Sequence, residues 1–302
     1  MLPPFLNTGD TIGIAATARY LTSEQWKFAK QEIESWGLKI LLAENVFQSH
    51  AQLAGNEAER TNSFLSLWNN PEVKAIIIAR GGYGTVHTID SILPQLDHRK
   101  WVCGYSDVTV LLNAITNKGE AGIHSTMPIS FEHATHEALS TLKQALFGEL
   151  KNISWETKNA QDGCIEGEIV GGNLSVIYSQ LGSPTQLESK DKIIFLEDVD
   201  EMLYHLDRML MGLLRAGVFQ GAKGIVFGGF TQLKDNTTEF GFSTDNPWGK
   251  SWKEVAIHRL QHLKIPMIFD FPAGHMEDNR AFYMGRKSSL SWGKDNAQLS
   301  WS

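Results

Sequence analysis

Long apolar runs are missing from this sequence. The longest, such as Ala75 to Ala79, fall far short of the roughly 20 residues that a bilayer-spanning helix needs. Residues Met1 to Asp10 hold neither the basic n-region nor the apolar h-region of a signal peptide, so the sequence predicts a cytoplasmic protein with no membrane partner. Cysteine is scarce. Cys103 and Cys164 lie far apart and form no C-x-x-C pair, which speaks against a disulfide framework or a zinc ribbon and suits a reducing compartment. A basic run is also missing, and the formal net charge is -7. Such a chain gains nothing from phosphate counterion release, which excludes nucleic acid as an expected partner. Internal repeats and low-complexity segments are absent too.

What is present is the balance of an ordinary globular protein: 302 residues, 42% hydrophobic and 20% charged. That is enough apolar surface for one or two cores without a metal or cofactor as staple, and none is expected. The first half alternates strand and helix signals. Thr11 to Ala16, Leu38 to Leu42, Val73 to Ala79 and Trp101 to Gly104 read as strands. Thr22 to Trp36, Glu57 to Trp68, about Val108 to Asn117 and about Glu137 to Phe147 read as helices. Thr22 and Gln25 have capping-box spacing, and Gly37 supplies a stop. This rhythm predicts a parallel sheet covered by helices. The polar stretch 148–163 separates a first domain, 1–150, from a second, 164–302. In the second, Ile193 to Leu196, Gly224 to Gly228 and Pro266 to Asp270 read as strands, and Leu203 to Ala216 and Trp252 to Leu263 as helices. Lys287 to Trp301 alternates like short strands.

Four segments could carry chemistry, each just after a strand. Gly104-Tyr105-Ser106-Asp107-Val108 has the strand-to-helix context of a nucleophile elbow, although Val108 stands where G-x-S-x-G has its last glycine. Capping by Ser106 or Asp107 is the plainer alternative. Arg80-Gly81-Gly82-Tyr83-Gly84 could bring backbone N–H groups to an oxyanion or phosphate, or be a turn of purely conformational use. Glu197 ends an apolar run and could orient a histidine, whereas Asp200 and Glu201 suit a helix start. Of the ten histidines, His275 stands out on the small-residue loop Phe271-Pro272-Ala273-Gly274. His124 is its best rival; His205 and His258 lie on helices. Gly171-Gly172-Asn173-Leu174 reads as a strand-to-helix turn needing positive φ.

These motifs, with Phe195-Leu196-Glu197-Asp198 and the opening Gly9-Asp10-Thr11-Ile12-Gly13, resemble in order and spacing the LD-carboxypeptidases, or muramoyltetrapeptide carboxypeptidases, across nearly the whole chain. The resemblance implies a flavodoxin-like parallel-sheet N-terminal domain and a β-rich mixed C-terminal domain, usually in a homodimer. It implies a serine peptidase with Ser106 as nucleophile, Glu197 as acid and His275 as base. The backbone N–H groups of Gly82 and Asp107 would form the oxyanion hole, with Arg80, Gly81 and Tyr83 near the substrate. The implied substrate is a cytoplasmic murein tetrapeptide, cut between the L-centre of meso-diaminopimelate and terminal D-alanine during peptidoglycan recycling. A related branch, similar to microcin self-immunity peptidases, takes peptidyl-nucleotides; this chain shows no long insertion to hold a nucleoside. Two rivals come from the residues themselves. One is a metallohydrolase using Asp200, Glu201, His205 and Asp207. The other is a non-enzymatic module that binds a peptide or nucleotide through its glycine loop.

Overall fold

Strand and helix alternate because the apolar period changes from segment to segment. The structure is a computed structural model that describes residues 2–97 and 100–301. The chain divides into two units: one comprises the chain as far as Lys151 plus Glu277–Arg286 and Trp301, the other Asn152–Met276 and Lys287–Ser300.

The first unit runs β1 (Thr11–Ala15), α1 (Ser23–Ser35), β2 (Lys39–Leu42), α2 (Glu57–Asn69), β3 (Val73–Ile78), α3 (Thr85–Ile92), β4 (Trp101–Gly104), α4 (Thr109–Asn117), β5 (Gly122–His124) and α5 (His136–Phe147). Thr22 and Asn56 each start a helix through a full capping box, to Gln25 and Glu59. Ile76, Ile77 and Ile78 of β3 are buried, as befits a strand covered on both faces. The strand order β2-β1-β3-β4-β5 is parallel throughout, the flavodoxin-like order, whose switch point lies between β1 and β3.

The second unit runs β6 (Asn152–Glu156), β7 (Gly163–Asn173), α6 (Leu174–Ser179), β8 (Ile193–Val199), α7 (Leu203–Arg215), β9 (Gly224–Thr231), α8 (Trp252–Leu260) and β10 (Met267–Ile268). The chain then gives β11 (Phe282–Met284) to the first unit before β12 (Lys287–Trp292) and β13 (Asn296–Trp301). β11 pairs antiparallel with β5 and completes a six-stranded sheet. The second sheet has seven strands, β10-β9-β8-β7-β12-β13-β6. It is parallel from β7 to β10 and antiparallel at β12–β7 and β13–β6. On α7, Leu206, Met209, Leu210 and Leu213 recur at helical spacing and join Ile194, Leu196 and Phe227 in the core. The molecule is thus an α/β protein with one parallel-rich and one mixed sheet.

Several elements differ from the sequence reading: β5, β7, α6 and β11 fall outside the strands and helices it bounds, β8 and β9 run on to Val199 and Thr231, and β10 is confined to Met267–Ile268. Helix α3 went unseen because its buried face, Thr85, Thr88, Ile89 and Ile92, has helical spacing but is half threonine. Strand β6 lies inside the polar stretch 148–163, where only Ile153 and Trp155 point inward. Helix α8 ends at Leu260, and Gln261–Leu263 tightens into a 3-10 turn. No described helix is long and apolar enough to cross a membrane.

Candidate active site

In the first unit, Ser106 opens a short 3-10 turn, Ser106–Val108, between β4 and α4. Its φ is +63°, the left-handed region that non-glycine residues rarely occupy and that recurs at functional turns. The N-cap positions of the 3-10 turn and of α4 fall on Tyr105 and Val108, neither of which caps through its side chain. Asp107 is buried and accepts a hydrogen bond from the Thr85 N–H at its Oδ2, 2.8 Å away. This bond ties the Ser106 turn to the start of α3.

The glycine loop after β3 runs beside that turn. A Cβ built on Gly81 would lie 3.1 Å from Ser106 Cβ and 3.2 Å from its Oγ. Glycine there keeps the hydroxyl uncovered. Gly82 and Gly84 have φ of +107° and +132°, values that favour glycine. Tyr83 is exposed, and its hydroxyl lies 3.0 Å from His87 Nε2. His87 Nδ1 lies 3.2 Å from Arg60 Nη2. Arginine can only donate, so Nδ1 accepts and the Nε2–H donates to Tyr83 Oη. The Tyr83 O–H is thereby turned outward as a donor.

In the second unit, Glu197 is fully buried on β8 and its Oε2 lies 2.7 Å from His275 Nδ1. The same oxygen accepts from the His275 backbone N–H at 3.2 Å. A carboxylate only accepts, so Nδ1 carries the proton and the neutral ring keeps its lone pair on Nε2. Burial opposes the charged ring, but the Glu197 charge and hydrogen bond outweigh it and raise the His275 pKa.

An irregularity in the sheet builds this pair. Leu196 pairs with Phe227 and Asp198 with Phe230, so Gly228 and Gly229 together stand opposite Glu197, a β-bulge in β9. The Gly229 N–H bonds the Ala273 carbonyl at 2.8 Å. The Phe271 N–H bonds Phe227 O at 3.0 Å, and Thr231 Oγ1 donates to the His275 carbonyl at 2.8 Å. The bulge that frees Glu197 from strict register thus also holds the histidine loop.

Sequence reasoning missed the partners of Asp198. Its Oδ1 accepts from Asn173 Nδ2 at 2.9 Å and its Oδ2 from the Ser175 N–H at 3.0 Å. Asn173 itself caps α6. Burial, then the Glu197 charge, pushes the Asp198 pKa up to about 7. Gly171 and Gly172 do take positive φ, +121° and +131°. His124 belongs to the core, its ring stacked on Phe282 at 4.8 Å. Of the acidic candidates for a metal, Glu201 bonds His205 at 2.5 Å, Asp200 pairs with Lys234, and Asp207 is held by Arg259. Among the described residues no three potential ligands come together.

Sequence models of the LD-carboxypeptidase N-terminal domain and C-terminal domain match residues 12–125 and 166–290. A Bacillus subtilis protein named "Probable murein peptide carboxypeptidase" is 31% identical over 98% of this chain and 93% of its own. The crystal structure of muramoyltetrapeptide carboxypeptidase from Oxalobacter formigenes superposes with a TM-score of 0.85 at 25% identity, covering 96% of this chain and 97% of that one. The microcin C7 self-immunity protein MccF of Escherichia coli is 24% identical over 97% of this chain and 94% of its own.

Proposed function

This chain belongs to the LD-carboxypeptidase family of peptidases, and from that premise we propose that it is a serine enzyme releasing D-alanine from murein tetrapeptides. Ser106 is the nucleophile, His275 the base and Glu197 the acid that holds it. The observation that carries serine chemistry is the left-handed backbone at Ser106, on a strand-to-helix turn beside a glycine loop. The names of the relatives from Bacillus subtilis and Oxalobacter formigenes support the substrate.

The reaction is acyl transfer in two steps. Ser106 Oγ attacks the carbonyl of the diaminopimelate L-centre and gives its proton to His275 Nε2. The oxyanion is held by the backbone N–H groups of Gly82 and Asp107; the Gly82 N–H bonds no other backbone group among the described residues. Collapse of the tetrahedral species breaks the C–N bond, and the leaving D-alanine takes the proton from His275. Water then attacks the acyl ester, again through His275, and frees the tripeptide and Ser106. In this reading the enzyme works in the cytoplasm, in peptidoglycan recycling, as a homodimer whose mass light scattering would check.

The test is incubation with a murein tetrapeptide and mass detection of tripeptide plus D-alanine. Ser106→Ala is expected to lower kcat by at least about 10³-fold with unchanged circular dichroism. Near-normal turnover in that variant sinks the assignment. The relation to the microcin immunity protein motivates a parallel incubation with a peptidyl-nucleotide. Preferential cleavage there replaces the murein reading.

A further inference from the structure

The family reading leaves open what tells this enzyme that it has reached the end of a peptide. Two arginines flank the switch point of the first sheet. Arg19 follows β1 and Arg80 follows β3, and the strands remain joined at their ends by the Ala79 N–H bonding Ala15 O at 2.7 Å. The two loops then stay together: Thr17 and Thr85 share a hydroxyl contact of 2.9 Å, and a Cβ built on Gly84 would lie 3.3 Å from Ala18 Cα. The Arg19 side chain runs along the glycine loop, where a Cβ built on Gly82 would come within 2.8 Å of its Cδ and Nε. In doubly wound sheets the crevice at this point is where ligands sit.

Among the described residues, Arg259 and Arg280 pair with carboxylates, whereas Arg19 and Arg80 pair with none. Arg19 Nη2 donates to the neutral amide of Gln52 at 3.0 Å, which orients the guanidinium without cancelling its charge, and its buried Nε–H has no acceptor among the described residues. Burial and then the nearby Arg19 charge lower the Arg80 pKa. Two like charges held together with no counter-charge favour an anion between them.

The geometry points to Arg19 and Arg80 as a clamp for the free α-carboxylate of the substrate's last residue. This rests on the assignment of Ser106 as nucleophile. In a terminal D-alanine the carboxylate carbon is three bonds from the scissile carbonyl carbon, within about 4 Å. The anion must therefore bind close to Ser106, and Gly81, next to Arg80, is the residue packed against it. A peptide that continued past this residue would place a neutral amide between two unbalanced cations. Planar guanidinium forks fit a carboxylate in a way ammonium groups do not.

Two measurements test the clamp. The first compares kcat/KM for a murein tetrapeptide ending in a free acid with that of its C-terminal amide. Wild type is expected to prefer the acid. Arg19→Gln and Arg80→Gln are expected to raise KM for the acid roughly 10- to 100-fold, the worth of a hydrogen bond to a charged group, while the amide is unaffected. Arg19→Lys should restore part of the preference. The second measures binding of N-acetyl-D-alanine and N-acetyl-D-alaninamide by nuclear magnetic resonance, which needs no turnover. A preference for the acid that both glutamine variants abolish supports the clamp even if no tetrapeptide is cleaved, in which case the peptidase reading alone fails. Equal binding of acid and amide by wild type, or an acid preference that survives in either variant, overturns the clamp.

Discussion

At the scale of single residues, the chemistry is set by where protons rest. Glu197 holds one on His275 Nδ1 and raises that ring's pKa. A general base acts in its neutral form, and the neutral fraction falls as pH drops through the pKa. A raised pKa therefore places the acid limb of kcat/KM above the ordinary histidine range of about 6.5. In Glu197→Gln the charge is gone, so the limb is expected to move to lower pH while the rate falls by about 10³- to 10⁴-fold. A pH-rate profile of both enzymes checks this, and superimposable limbs would remove Glu197 from the role. The sequence reading set Glu197 at a strand end and His275 just after a strand; in the structure Glu197 lies within β8, which runs on to Val199, and His275 stands seven residues past the short β10. The left-handed φ of Ser106 was not legible. Nothing in Ser-Asp-Val demands it, and the turn from β4 into α4 imposes it. Arg19 was passed over because a lone arginine after Ala16-Thr17-Ala18 has no pattern around it.

At the scale of elements, the β9 bulge and the loop after β10 are the devices that matter. Gly274 has φ +120°, and a Cβ there would sit 2.9 Å from Glu197 Cβ and Oε2. Gly274→Ala is thus expected to displace His275 from its partner. Because a misplacement of about 1 Å can lower a rate by about 10²-fold, kcat should drop by about that factor, with melting temperature reduced by backbone strain. Steady-state kinetics beside a thermal melt reads both. The bulge at Gly228 and Gly229 needs its partner strand to be recognised, and register is invisible in one segment alone. The parallel strands β1, β3, β4, β8 and β9 were legible because they are mostly buried and read as apolar runs. Helix α3 and strand β6 were not, since threonine stands in for apolar residues in one and two inward side chains are too few in the other.

At the scale of the molecule, the order of segments along the chain is not the order of the units. β11 comes from far down the sequence, yet its Tyr283 ring lies 5.5 Å from Trp101 and 5.3 Å from Trp301, and its hydroxyl bonds Ala145 O at 2.9 Å. Truncating a buried aromatic of this kind costs about 3–5 kcal/mol. Tyr283→Ala is expected to lower the urea midpoint accordingly with the slope unchanged, and an altered slope would mean a changed unfolded state instead. The sheet that holds Ser106 is therefore completed only when residues 282–284 are made, long after Ser106 itself. A ribosome that stalls before residue 284 releases a chain whose first sheet ends in a bare β5 edge, open to pairing with other chains. A chain interrupted there carries Ser106 without the finished first sheet around it.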